Sequence, residues 1–313
     1  MQRKRIQNHV AESRLTLPAA VAYATAVWFL FGLVRLQLWP QFACFVATTY
    51  LMAVLNNNNA LIRIFSRLDA CSFAVLTCTA CFLFPSMQGA ILTLCYVVFY
   101  LLLFRTYQDK RSMGWTYYAF LCIGLSSLAY VHVLFLIPVF WLFMLFQLTS
   151  FSWRTMGASV LGVITPYWLL LPLAVYKHQI GQYVTHFSQL SVVQPIADYS
   201  QLSVNQILLW GFVTLLAFTG IIHFWRNSSG DRIRIRQLYS IFTAMVFVVS
   251  LLFALQPQHY DVLLRLLIIN TAPLIAHFLA LTYTRYTNYA FYAICAAVLL
   301  LTMLNLWMPS LLS

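Results

Sequence analysis

The chain has 313 residues, of which 62% are hydrophobic and only 8% charged, and its mean hydropathy is +0.82. Soluble domains average roughly 45–50% apolar and 25% charged residues, so a soluble enzyme or nucleic-acid-binding domain is excluded in favour of a membrane chain. The formal charge of +12 then reports which loops face the cytoplasm rather than a nucleic-acid partner.

Apolar runs bounded by charges, Pro or Asn predict an all-α, polytopic transmembrane helix bundle, a single membrane domain over residues 1–313. Eleven spans are expected, at about 16–34, 40–55, 69–85, 89–104, 115–129, 131–148, 155–175, 206–225, 237–255, 262–283 and 288–308. The polar stretch with Glu12 and Arg14 ahead of a long first run predicts no cleaved signal. The fifth and sixth spans share one apolar stretch, Trp115 to Leu148, and are divided near Ala129 to His132. Charge decides that division. With eleven spans and the N-terminus cytoplasmic, Arg35, Lys177 and Arg265 alone among the 18 Lys and Arg fall outside, and the C-terminus is outside as well.

At the inner end of the second span Asn56 to Asn59 are followed by Arg63, Arg67 and Asp69. Four consecutive Asn cap a helix, bind water or line a site, and the spacing of Arg63 and Arg67 puts both on one helical face suited to a lipid phosphate. The outer loop of about 176–205 contains a start with helical apolar spacing (Ile180, Tyr183, Val184, Phe187), fitting an interfacial helix. The cytoplasmic loop of about 226–236 is basic and reads as a turn against anionic lipid. Pro166, Pro172 and Pro273 are candidate breaks within spans.

The seven cysteines lie in apolar runs and read as packing residues. No nucleotide, dinucleotide, metal-protease, zinc or serine-hydrolase signature is present, so no cofactor and no metal site is expected. Acid–base chemistry would draw on six acids, of which Asp198 and Asp261 face outward. The stretch Gln256 to Arg265 enters the tenth span from outside and puts Arg265 one turn deeper than Asp261. Either the two form a structural pair, or His259, Asp261 and Arg265 line an outward cavity with Arg265 on a phosphate. Arg35, with no acid within a turn, either snorkels to the headgroups or binds the same ligand.

The Asn-rich turn with Arg63 and Arg67, Phe151-Ser-Trp-Arg154 with Leu161-Gly162 and Thr165-Pro166-Tyr167, and His259-Tyr-Asp261 together resemble an uncharacterised family of bacterial polytopic inner-membrane proteins. More distantly, a charged outer loop leading into Tyr260-Asp-Val-Leu-Leu-Arg265 and Pro273 is similar to late spans of multi-spanning glycosyltransferases that use polyprenyl-phosphate sugars. Those enzymes usually carry an acid in the first outer loop, where residues 35–41 here have none. The resemblance implies a substrate on polyprenyl phosphate, with Arg35 and Arg265 holding phosphate, Asp261 or Asp198 as base and His259 assisting. A carrier or flippase, and a non-enzymatic subunit bound to a membrane-protein partner in an envelope complex, are the alternatives.

Overall fold

The computed structural model describes residues 5–178, 180–190, 197–200 and 202–307. The described residues form 13 α-helices in chain order: α1 (Ile6–Glu12), α2 (Thr16–Phe31), α3 (Trp39–Asn59), α4 (Leu68–Thr79), α5 (Met87–Leu103), α6 (Met113–Ala129), α7 (Ile137–Phe146), α8 (Trp153–Tyr176), α9 (Ile180–Ser188), α10 (Val204–Asn227), α11 (Ile233–Leu255), α12 (Tyr260–Leu281) and α13 (Arg285–Trp307). Short 3₁₀ turns join several of them, including Cys81–Leu83, Val131–Leu136 and Pro257–His259.

Every apolar run expected to span is helical, but not every one is long and apolar enough to cross alone. Among the described residues six segments are: Met87–Thr106, Trp153–Tyr176, Val204–Gly230, Ile233–Leu255, Pro257–Leu281 and Arg285–Trp307. The pair α1 and α2, bent by 92°, makes a seventh if it is counted as one span. Against the eleven expected, α4 has only 12 residues and α6 only 17, while α3, at 21 residues, ends in four Asn. The disputed stretch is broken where the charges demanded it, because α6 ends at Ala129 and Tyr130 is extended. The 3₁₀ turn Val131–Leu136 and α7 then rise together by about 27 Å at their standard increments, close to the ~30 Å hydrocarbon layer. Pro166, Pro172 and Pro273 lie inside continuous helices, so none of them splits a span.

The chain forms two compact units, one from Met1–Met87 with Ala197–Ser313 and one from Gln88–Ile196. In the second unit α6 and α8 pack backbone to backbone. A Cβ on Gly162 would lie 2.5 Å from the Tyr117 carbonyl oxygen, and one on Gly124 2.6 Å from that of Val163. Glycine is what admits that approach. Beside it an aromatic core forms from Tyr96, Phe99, Tyr100, Phe120 and Phe140, with Phe99 and Phe140 4.4 Å apart. The ends of α5 and α7 meet, since Gln108 N–H donates to Leu148 O at 2.8 Å, so α6 leaves that end and α7 returns to it. Helix α9 sits where an interfacial helix was expected, and its His186 Nε2 lies 3.0 Å from Ser127 O. The rest of that loop at 191–196, including Pro195, lies outside the described residues.

In the first unit α12 is the central helix. It is buried along nearly its whole length against α4, α10 and α11, as its unbroken apolar sequence from Val262 to Ile269, interrupted only by Arg265, requires. Gly220 lets α10 close on it, with a Cβ there falling 2.7 Å from the Leu274 backbone. At one end α1 turns across the bundle and closes α12. Gln7 Nε2 donates to Leu279 O at 2.7 Å and Asn8 Nδ2 to Thr282 O at 2.9 Å, satisfying carbonyls that a helix end leaves open. Arg14, Arg63, Arg67, Arg226, Arg232, Arg234, Arg236 and Arg285 flank helix termini at this same end, whereas Arg35 and Arg265 belong to the other. We call these the basic end and the opposite end.

Candidate functional site

At the opposite end, Arg265 points into protein. It is 8% exposed, donates through Nη2 to the carbonyl of Leu83, and its Nε has no acceptor. The structural pair with Asp261 is not formed: no carboxylate of the described residues lies within 4.0 Å of the guanidinium. Asp261 is instead exposed in the first turn of α12, where a negative charge is favoured by the helix dipole. Asp261 acts on Arg265 only from beyond contact distance, so the buried guanidinium is held without a direct ion pair and with a donor to spare.

Other residues singled out from the sequence lie at this same end. His259 closes the 3₁₀ turn before α12 and is half-buried. Asp198 is brought to the same end because Ala197 N–H donates to Leu255 O at 3.0 Å and Tyr199 O–H to Ala254 O at 3.0 Å. Ser200 donates to Asp198 through Oγ at 2.6 Å and through its N–H at 3.1 Å. Those two bonds hold the Asp198 carboxyl below the usual carboxylate range, which makes it a weaker base than Asp261. Arg35 follows Gly32, whose φ of 106° ends α2, and it is exposed. Nearby Trp28 stacks on Phe84 at 3.9 Å, fixing the turn that supplies the Leu83 carbonyl.

At the basic end the structure assembles a polar cluster that the order of residues along the chain did not announce. The expectation that Arg63 and Arg67 share a helical face is corrected here. Helix α3 stops at Ala60 in a left-handed conformation, φ 49°, and residues 61–67 form an irregular turn before α4. Arg67 lies over the Phe65 ring at 5.7 Å, while Arg63 donates through Nε to Asp231 and through Nη2 to Asn227 O at 2.8 Å. Two of the four Asn, Asn56 and Asn59, are buried. Asn56 joins Ser66 O and the Ile62 N–H, Asn59 accepts from Arg234 at 2.9 Å, and Asn57 and Asn58 are exposed.

Asp231, expected in a turn facing lipid, is buried, and its second oxygen meets His277 Nε2 at 3.3 Å. Burial alone would push its carboxyl up, but the bonds from His277 and Arg63 outweigh that and hold it down to about 2. The Arg63 guanidinium is correspondingly pushed up by Asp231. His223 of α10 packs against His277, ring centroids 5.3 Å apart, and its Nδ1 receives Asn227 Nδ2 at 2.9 Å. Tyr239 of α11 lies 4.9 Å from the His277 ring and within electrostatic reach of both Asp231 and Asp69. Asp69, in the first turn of α4, is 1% exposed and neither carboxyl oxygen has a hydrogen-bond partner. Three or more His, Cys, Asp or Glu side chains arranged to hold a metal are not found among the described residues.

The chain is thus a multi-pass helical membrane protein in which the described residues place a buried arginine outside direct contact with any carboxylate and, at the other end of the same unit, a buried acid–histidine cluster. Comparison with protein-family models, with curated proteins and with solved structures gives no match.

Proposed function

We propose that this protein resides in the bacterial inner membrane and handles a polyprenyl-phosphate-linked substrate at its outer face, with Arg265 receiving the phosphate. The observation that carries the reading is the Arg265 guanidinium, buried, with Asp261 within electrostatic reach but no carboxylate of the described residues within 4.0 Å, and with Nε unused. A phosphate oxygen supplies both a direct counter-charge and the missing acceptor. Asp261, exposed one turn nearer the helix start, is the neighbouring base of a glycosyltransferase-like reaction, His259 assists, and Asp198, already engaged by Ser200, is the poorer candidate. Arg35 and Arg67 are headgroup contacts at the two faces. Arg63 is engaged by Asp231 and is left out of that role.

The orientation in this reading is eleven traverses with the N-terminus cytoplasmic and the C-terminus outside. It is supported by the gathering of arginines at the basic end of the first unit and by the return of α7 against α6. Native mass spectrometry of the full chain in detergent, with a long-chain polyprenyl phosphate added, tests the binding. We expect a bound phosphate lipid that is lost in Arg265→Gln and kept in Asp261→Asn. Equal retention in Arg265→Gln removes the proposal, and a folded Asp261→Asn protein with undiminished transferase activity removes its catalytic part.

A further inference from the structure

We propose that the basic end of the first unit is a proton-binding site, in which one exchangeable proton resides on Asp69 at neutral pH and has the His277–His223 pair as its alternative acceptor. Three observations lead there. Asp69 is all but completely buried and has no donor for either oxygen. An ionised carboxylate cannot be kept that way without a cation, so the group holds a proton or an ion. The histidines each have one nitrogen in use and one idle. Asn227 can only donate to His223 Nδ1, which leaves an N–H on the buried Nε2 with no acceptor. Asp231, ionised, accepts from His277 Nε2, which leaves a lone pair on the buried Nδ1 with no donor. One idle N–H and one idle lone pair, on rings in contact, form a place to pass or accept a proton.

Titratable and charged groups face the site from several elements. Facing it are Arg63 from the turn after α3, Asp69 with Arg67 and Cys71 beside it on α4, and His223 from α10. Asp231 comes from the α10–α11 turn, Tyr239 and the exposed Arg234 from α11, and His277 from α12. Of these, Arg67 is turned over Phe65 and Arg234 is bonded to Asn59 in the exposed rim. Two carboxyls, Asp69 and Asp231, remain against one inserted guanidinium, Arg63. Tyr239 lies against the His277 ring and within electrostatic reach of both acids, with its hydroxyl donating to Pro273 O at 3.5 Å. Ionisable chains of this composition inside helix bundles serve proton uptake and release.

Infrared difference spectroscopy of the detergent-solubilised full chain reads the proton directly. At neutral pH we expect the carbonyl stretch of a protonated carboxyl, absent in Asp69→Asn and retained in Asp261→Asn. In His223→Phe the pH midpoint for losing that band should shift, because the alternative acceptor is gone. A wild-type spectrum without an Asp69-dependent band overturns the proposal. So does a band that sodium removes at fixed pH, which would make the site one for an alkali cation, and an unmoved midpoint in His223→Phe removes the sharing. Should Asp69→Asn fail to fold, Asp69→Leu serves as the second blank, since no hydrogen bond of Asp69 is lost in either.

Discussion

Arg63 and Asp231 stand 168 positions apart in the chain, yet the guanidinium of one closes on the carboxylate of the other and at once on the last carbonyl of α10. The contact ties the α3–α4 turn to the α10–α11 turn and so holds together two halves of the first unit that the second unit separates in sequence. The carboxylate is buried, whereas the Arg63 side chain is 37% exposed. Removing either partner therefore costs less than for a wholly buried pair, about 1–3 kcal/mol. Thermal unfolding in detergent should show Arg63→Ala and Asp231→Asn less stable than wild type. The double variant should be scarcely worse than Asp231→Asn; full additivity would mean the two residues act separately.

Gly230 explains how the pair fits. A Cβ at that position would collide with Arg63 Nη1 and lie 2.8 Å from Cζ. Because those atoms end a flexible side chain, Gly230→Ala should displace the guanidinium and leave the backbone in place. Its loss of stability should be no greater than that of Arg63→Ala and should vanish in the Arg63→Ala background. A penalty persisting there would place the strain in the turn itself.

The helices were legible because their signal is local. Eleven apolar runs became helices, and the break near Tyr130 followed from where Arg154 and the 226–236 arginines had to lie. The opposite-end site was legible in part, since Arg265 and Asp261 are close neighbours on one helix, although their spacing could not say that Asp261 would remain exposed and Arg265 turn inward. The basic-end cluster was not legible. His277 and Asp231 are 46 residues apart, Asp69 lies in a different hairpin, and only the packing of α12 against α4, α10 and α11 unites them. Helical spacing also misplaced Arg63 and Arg67, because Ala60 enters the left-handed region and ends α3 before either is reached.

Acid should weaken the same tie. The Asp231 carboxyl lies at about 2 in the folded protein against an ordinary 3.8. A depressed carboxyl contributes its stabilisation in full above the ordinary value and loses it as pH falls through the folded one. Unfolding midpoints should thus fall between about pH 4 and pH 2 by the equivalent of about 1–2 kcal/mol, allowing for the exposure of Arg63. Asp231→Asn should flatten that part of the profile, and an unchanged slope would assign the acid sensitivity to other groups.

Close helix approach makes a separate prediction for each unit. Gly162→Ala would bring a methyl to 2.5 Å from the Tyr117 carbonyl, and Gly220→Ala to 2.7 Å from the Leu274 backbone. Neither neighbour can swing aside, so the helices must part, at about 1–3 kcal/mol each. Limited proteolysis should expose the α6–α8 unit in Gly162→Ala and the unit containing α10 and α12 in Gly220→Ala. Protection equal to wild type in either variant would show that the helices slide apart without penalty.

Arg265 poses the sharpest test of structure against function. If its charge is kept for a ligand, the ligand-free protein carries a buried cation that no carboxylate of the described residues contacts directly, and gains by losing it. Arg265→Met keeps the length of the side chain and its contacts while removing the charge, at the loss of one bond to Leu83 O, worth about 1 kcal/mol. The relief of burying an unpaired guanidinium exceeds that, so the variant should unfold at the same or a higher temperature than wild type in the absence of lipid. Adding polyprenyl phosphate should then stabilise wild type and leave Arg265→Met unmoved, reversing their order. A variant markedly less stable than wild type without lipid would instead make Arg265 a structural tie between α12 and the Cys81–Leu83 turn.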